Sequence, residues 1–192
     1  MIKKRYKYLV NQDPMMCVPA CIMMILKRRN LDKGYSQIGL ASFLGFQNDE
    51  DSKEVYPDYP VADSFENQGC HVTNLNKQLF KPMNIPLQEE YIALGTVRHI
   101  MEYNDTFLFD LIHGKDADVI VNLDYSIINT DHKPSRHVVL VESVDLDDIC
   151  LVLAPIGDPY ANITERKTVN IYKLLEAIKK VDGGFWVITA RE

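Results

Sequence analysis

Two stretches of this chain carry residue types that could do covalent chemistry. The first is Gln12-Asp13-Pro14-Met15-Met16-Cys17-Val18-Pro19-Ala20-Cys21, which runs straight into the apolar Ile22-Met23-Met24-Ile25-Leu26. The second is His137, at the head of the run HVVLVESV. A thiolate can attack a carbonyl. An amide yields only if a base manages the protons and hydrogen-bond donors hold the oxyanion. Proline is tolerated in the first turn of a helix and disfavoured deeper, so Pro19 places a helix start at about residues 16–18. Cys17 then sits beside unsatisfied N–H groups at the positive end of the helix dipole, a position expected to lower a thiol pKa. Gln12 could give one oxyanion donor from its side-chain amide and the Cys17 N–H another. Taken alone, Gln12 reads as an ordinary loop residue. Cys21, one turn further along the same face, reads as core.

Five histidines could serve as the base. His99 lies within a helical stretch and His113 precedes Gly114, so both read as structural or exposed. His132 lies in the loop NTDHKPSR, and His71 flanks a possible short strand. His137 follows a polar loop and opens a strong strand, where a side chain can face a cleft while the strand anchors it. It is the expected general base for Cys17.

The elements that must hold these residues follow from periodicity and breakers. Residues 17–29 are apolar all round until Lys27-Arg28-Arg29, the pattern of a buried helix with cations at its C-terminal end. Ser36 can cap a second helix that runs to Leu44 and stops at Gly45. Residues 47–69 read as one long loop, a length that suggests function or mobility, with NDED as a solvated surface. Short helices are expected at 74–80, 96–103 and 106–113. From Asp118 onward VIVNL, HVVLVESV, ICLVL and FWVIT read as strands. The run TVNIYKLLEAIKK and the residue after it keep helical spacing through Ile171, Leu174, Leu175, Ile178 and Val181, and Gly183 offers a stop. A helical part over about 1–115 and a sheet part over about 116–192 give an α+β class and one domain.

Composition narrows the function classes. The 192 residues carry a net charge of −6 with no basic stripe, which speaks against nucleic acid as a partner. The basic start MIKKRYKYLV lacks the apolar core of a signal peptide and reads as a solvated edge, and no stretch suits a membrane span. The four cysteines form no CxxC pair, so no zinc site, no other metal and no cofactor is expected. Free thiols point to a reducing, cytoplasmic setting. Cys70 and Cys150 read as small buried apolar residues.

Gln12…Cys17-Val18-Pro19-Ala20-Cys21 with its apolar helix, and HVVLV followed by a second strand, resemble the bacteriocin-processing (double-glycine leader) peptidases and their stand-alone relatives. These are papain-like cysteine peptidases. The resemblance implies a papain-like fold, with Cys17 as nucleophile, His137 as general base and Gln12 as oxyanion donor. The chain departs from that pattern in three places. Val18 stands where the family has glycine, and the 46–75 region lengthens the interval between Cys17 and His137. Ala154-Pro155 stands where the family has an Asp-Pro whose aspartate orients the histidine. If residues 145–148 form a turn, Val144 faces Ile149 and His137 falls opposite Ile156. Ala154 and Asp158 are then its diagonal neighbours. Asp158, itself followed by Pro159, is the expected substitute orienter, with Asn122 and Asp124 in reserve.

Three functions fit these residues. One is a cysteine peptidase acting on a peptide or amide through a thioacyl intermediate. Another is an acyltransferase with the same nucleophile and an acyl-donor substrate. The last is a catalytically degenerate domain that binds peptide. No GxxxxGK[ST] run is present to couple the chemistry to ATP.

Overall fold

A computed structural model of the protein describes residues 5–64, 67–156 and 165–191. Its class is α+β, and the described strands form one antiparallel sheet. These strands are β1 (Leu87–Ala93), β2 (Asp118–Asp124), β3 (Arg136–Val144), β4 (Ile149–Ala154), β5 (Glu165–Asn170) and β6 (Gly184–Ala190). The spatial order is β1-β6-β2-β3-β4-β5, with every pair antiparallel.

Helices cover both faces of the sheet. On one face lies α1 (Cys17–Arg28) with α2 (Gln37–Ala41) beside it, over Ile120, Val138, Leu140, Leu153, Trp186 and Ile188. On the other lie α3 (Leu94–Tyr103), α4 (Phe107–Phe109), α5 (Tyr125–Ile128) and α6 (Ile171–Lys180), over Val119, Val121, Val139, Val141 and Val152. The central strands are therefore apolar on both sides. This is why HVVLVESV and VIVNL read as unbroken apolar runs rather than alternating ones. No described helix is long and apolar enough to cross a membrane.

α1 starts at Cys17 and α2 is capped by Ser36, whose Oγ accepts the Gly39 N–H, both as expected. Helix starts are legible because caps and prolines act within one turn. Two edge strands, β1 and β5, are missing from the sequence reading. Their patterns, LQEEYIA and ERKTVN, are too polar to signal a sheet, because edge strands bury little. The expected helices at 74–80 and 106–113 appear instead as π-helical turns at Asn76–Phe80 and Asp110–Gly114, the latter following α4.

The chain start is not a solvated edge where it is described. Arg5 pairs with Asp116, its N–H and that of Tyr6 donate to buried Glu142, and the Tyr6 hydroxyl donates to buried Asp118. Arg28 and Arg29 at the end of α1 also grip Asp118. Buried carboxylates persist only when paired, so this network fastens the far end of α1 to β2 and fixes where Cys17 must lie.

The long loop is a packed wall. Gln47 bridges Gly69 and Asn48 bridges Val61, while Phe46 and Tyr56 pack on Met16. The Asn48 amide donates to the carbonyls of Ser52 and Tyr56.

Candidate active site

Cys17 is half-buried at the first position of α1, and Met16 before it offers no side-chain cap to the first-turn N–H groups. It lines a cleft of about 800 Å³ together with Met15, Gln68, Cys70, His71, Asn122 and Arg136. One wall is the end of the packed loop; the other is the β2–β3 end of the sheet with the end of α6. Burial pushes the Cys17 thiol up to about 11, against the backbone N–H groups of Val138, Val18 and Cys17 itself, which favour the thiolate. The sequence expects a lowered pKa here. The N–H groups are in place, yet desolvation of the sulfur outweighs them. At neutral pH this keeps Cys17 in the protonated thiol form.

The structure does not bring His137 to Cys17. Side chains alternate along a strand. Val138 and Leu140 turn to the α1 face and Val139 and Val141 to the opposite one. His137 turns with Val139. Its ring lies 5.1 Å from that of Tyr125, which packs in the α6-side core. Burial lowers its pKa to about 4, against a hydrogen bond to the Pro155 carbonyl, and His132 lies close enough to oppose its charge further. Its Nε2 is buried without a partner among the described residues. Such a ring is a neutral core histidine.

The other expected site residues separate in the same way. Asp158 lies outside the described residues. The body of the β3–β4 pair keeps the expected register, Leu140 opposite Leu153 and Val141 opposite Val152. A bulge between Val141 and Ser143 moves Val144 to face Cys150 rather than Ile149, and β4 ends at Ala154. The bulge adjoins a turn in which Asp148 adopts φ 56°. His137 thus takes a backbone carbonyl, from Pro155.

Asn122 pairs with Val138 and Asp124 with Arg136, so both stand on the cleft side and neither can orient His137. The Asp124 carboxylate is committed to the Ser126 N–H and Oγ and the Ser135 N–H. Gln12 is not among the cleft-lining residues, and its Oε1 is buried without a partner among the described residues. Its neighbours are held from α2, where Gln37 Nε2 donates to the Asn11 carbonyl and Gln37 Oε1 accepts the Asp13 N–H.

The cleft gathers two residues that sequence reasoning set aside. Cys70 is half-buried rather than core, and burial and then the neighbouring Cys17 push its thiol up. His71 follows it. Its Nε2 lies 2.6 Å from the Asn67 carbonyl. A carbonyl oxygen only accepts, so Nε2 carries a hydrogen, and in the neutral ring Nδ1 is the nitrogen with the lone pair. The backbone is pinned by the His71 N–H to the Leu44 carbonyl and by Gln78 Nε2 to the His71 carbonyl. No local pattern in ENQGCHV distinguishes this histidine. Closure of the loop on Gln47 brings it to the cleft.

The remaining histidines are accounted for. His113 Nε2 meets the Val144 carbonyl, His99 is exposed beside Glu102, and His132 packs edge-on against Tyr125. No family model matches the chain, and no curated protein matches it.

Proposed function

We propose that the protein is a thiol-dependent acyl-transfer enzyme that hydrolyses a peptide or amide through a thioacyl intermediate on Cys17. The observation that carries this reading is the seating of the Cys17 sulfur. It lies at the first position of a helix, where the N–H groups of Val138, Val18 and Cys17 favour the thiolate, and it shares an open cleft with His71. The same donors can hold negative charge as it moves from sulfur to a carbonyl oxygen. The leader-peptidase resemblance of the Cys17 segment points the same way and favours a peptide substrate.

In this reading Cys17 Sγ attacks the carbonyl carbon and its proton passes to His71 Nδ1. The tetrahedral oxyanion collapses, the C–N bond breaks, and the amine leaves with the proton from His71. Water then attacks the thioester with His71 again as base, and the carboxylic acid and free thiol are released. An amine or alcohol acceptor in place of water would make the same site an acyltransferase.

A non-catalytic peptide-binding cleft is the second reading. It is favoured by the protonated thiol and by the position of His137 on the far face. Incubation with a diverse peptide pool, followed by intact mass and hydroxylamine treatment, separates the two. The enzyme reading expects a hydroxylamine-labile adduct or cleaved peptide with wild type and neither with Cys17→Ala. Equal peptide binding by both proteins, with no adduct and no cleavage, would give the binding reading the lead.

A further inference from the structure

The amide of Asn122 has no assigned role, and its placement is specific. Within β2 every residue is buried except Asn122, which is half-buried at the cleft. It stands directly across from Val138, whose N–H is near enough to Cys17 to favour its thiolate. Cross-strand partners hold their Cβ atoms about 5 Å apart, and Asn122 and Cys17 line the same cleft. Its Oδ1 is buried and has no hydrogen-bond partner among the described residues. An acceptor taken from water and left without a donor costs free energy, and a bound group that supplies the donor recovers it. The strand cannot drift to relieve this. A Cβ on Gly183 would come within 2.2 Å of the Asn122 carbonyl oxygen, so the turn between α6 and β6 is packed hard against this residue.

We propose that Asn122 is a substrate-binding residue whose Oδ1 accepts the N–H on the acyl side of the bond attacked by Cys17. The substrate class is then an acylated amino acid or peptide, which carries an N–H one carbon from the reacting carbonyl. A simple fatty-acyl or other N–H-free acyl donor lacks the group that Asn122 is placed to meet. This inference rests on the thiol reading of Cys17 and adds its specificity. It also replaces the expected part of Asn122 as an orienter of His137, since the two side chains stand on opposite faces of the sheet.

The probes are N-acetyl-leucine chloromethyl ketone and its N-methyl counterpart, with iodoacetamide as the reference alkylator. Each forms a carbon–sulfur bond at Cys17 and expels a halide, with the thiol proton lost to buffer. Rates are read at pH 9 by intact mass with peptide mapping, and each chloromethyl ketone rate is divided by the iodoacetamide rate of the same protein. Wild type should label at least tenfold faster with the N–H reagent than with the N-methyl one. Asn122→Ala should lose that preference in the normalised rates. Asn122→Asp, which keeps an acceptor oxygen, should retain it. Should the alanine variant not fold by circular dichroism, the nearly isosteric Asn122→Leu takes its place. Equal rates for the two reagents with wild type, or a preference that survives in the variant lacking an acceptor, would overturn the role of Asn122 and leave the thiol reading standing. Failure of iodoacetamide to modify Cys17 in the folded wild type would overturn the thiol reading and this inference together.

Discussion

His137 and Val138 are neighbours in sequence and belong to different halves of the molecule. On the α1 face, Val138 lines an open cleft with Cys17, and its N–H favours the thiolate there. On the α6 face, the His137 ring packs against Tyr125 and is held neutral by burial. The backbone of one residue serves the candidate site, and the side chain of the previous one serves the core. The contrast teaches that a reactive residue type at the head of a strand says little about function until the face it points to is known. The contribution of β3 to the cleft is a peptide N–H and Arg136, which no residue-type pattern would single out.

The largest effect should separate the two thiols of the contrasting faces. Cys17→Ala should lower turnover of any cleaved peptide by more than 10³-fold, because no nucleophile remains. Its melting temperature should stay near that of wild type. Full activity in this variant would end the thiol reading.

The next comparison sets the two histidines against each other. His71→Ala should reduce kcat by about 10²-fold or more, the usual worth of a general base, with little loss of stability. His137→Ala should leave kcat within a few-fold and lower stability by about 2 kcal/mol, through the void it opens in the core. The reverse pattern would mean that the working enzyme turns the His137 ring to the cleft and would restore the leader-peptidase dyad.

Acid should act through the core histidine. The folded-state pKa of His137, about 4, lies below the ordinary value of 6.5, so the unfolded chain binds more protons between them. Its contribution is fully present above pH 6.5 and is lost as pH falls toward about 4. The loss should approach roughly 3 kcal/mol at its limit, taking 1.36 kcal/mol per pKa unit. Urea denaturation at a series of pH values should show this slope in wild type and a flatter one in His137→Phe. An unchanged slope in the variant would mean that other groups carry the acid sensitivity.

The smallest effect belongs to Cys150, fully buried in β4. Cys150→Ala should cost about 1 kcal/mol in unfolding free energy through the small void it leaves, with kcat unchanged. A loss of activity that outruns the loss of stability would couple the α6-side core to the cleft.

Much of the frame was legible because it depends on short-range rules. Pro19 fixed the start of α1, Ser36 capped α2, and the apolar runs of β2, β3, β4 and β6 announced buried strands. The spacing of Ile171, Leu174 and Ile178 announced α6. The β3–β4 register was readable along its body and failed only at the turn, where a bulge adds one residue. What sequence could not supply was the side of the sheet. A strand buried on both faces has no apolar–polar alternation to say which side chains look toward α1, so His137 and Val138 were indistinguishable in phase. Asn122 carried the one usable hint, a polar residue inside an apolar strand.

The tertiary structure alone decided which residues meet Cys17. His71 and Cys70 reach the cleft because the 47–69 loop closes through the Gln47 bridge to Gly69, a contact between distant residues that no local pattern encodes. It also decided the charge on the sulfur. The amino-acid sequence placed Cys17 at a helix start, where the N–H groups favour the thiolate. Packing against the α1-side core then removed water from it, and desolvation outweighed the helix. Helix starts and strand runs are set by neighbours along the chain. Burial, facing and proximity are set by whatever the fold brings against them.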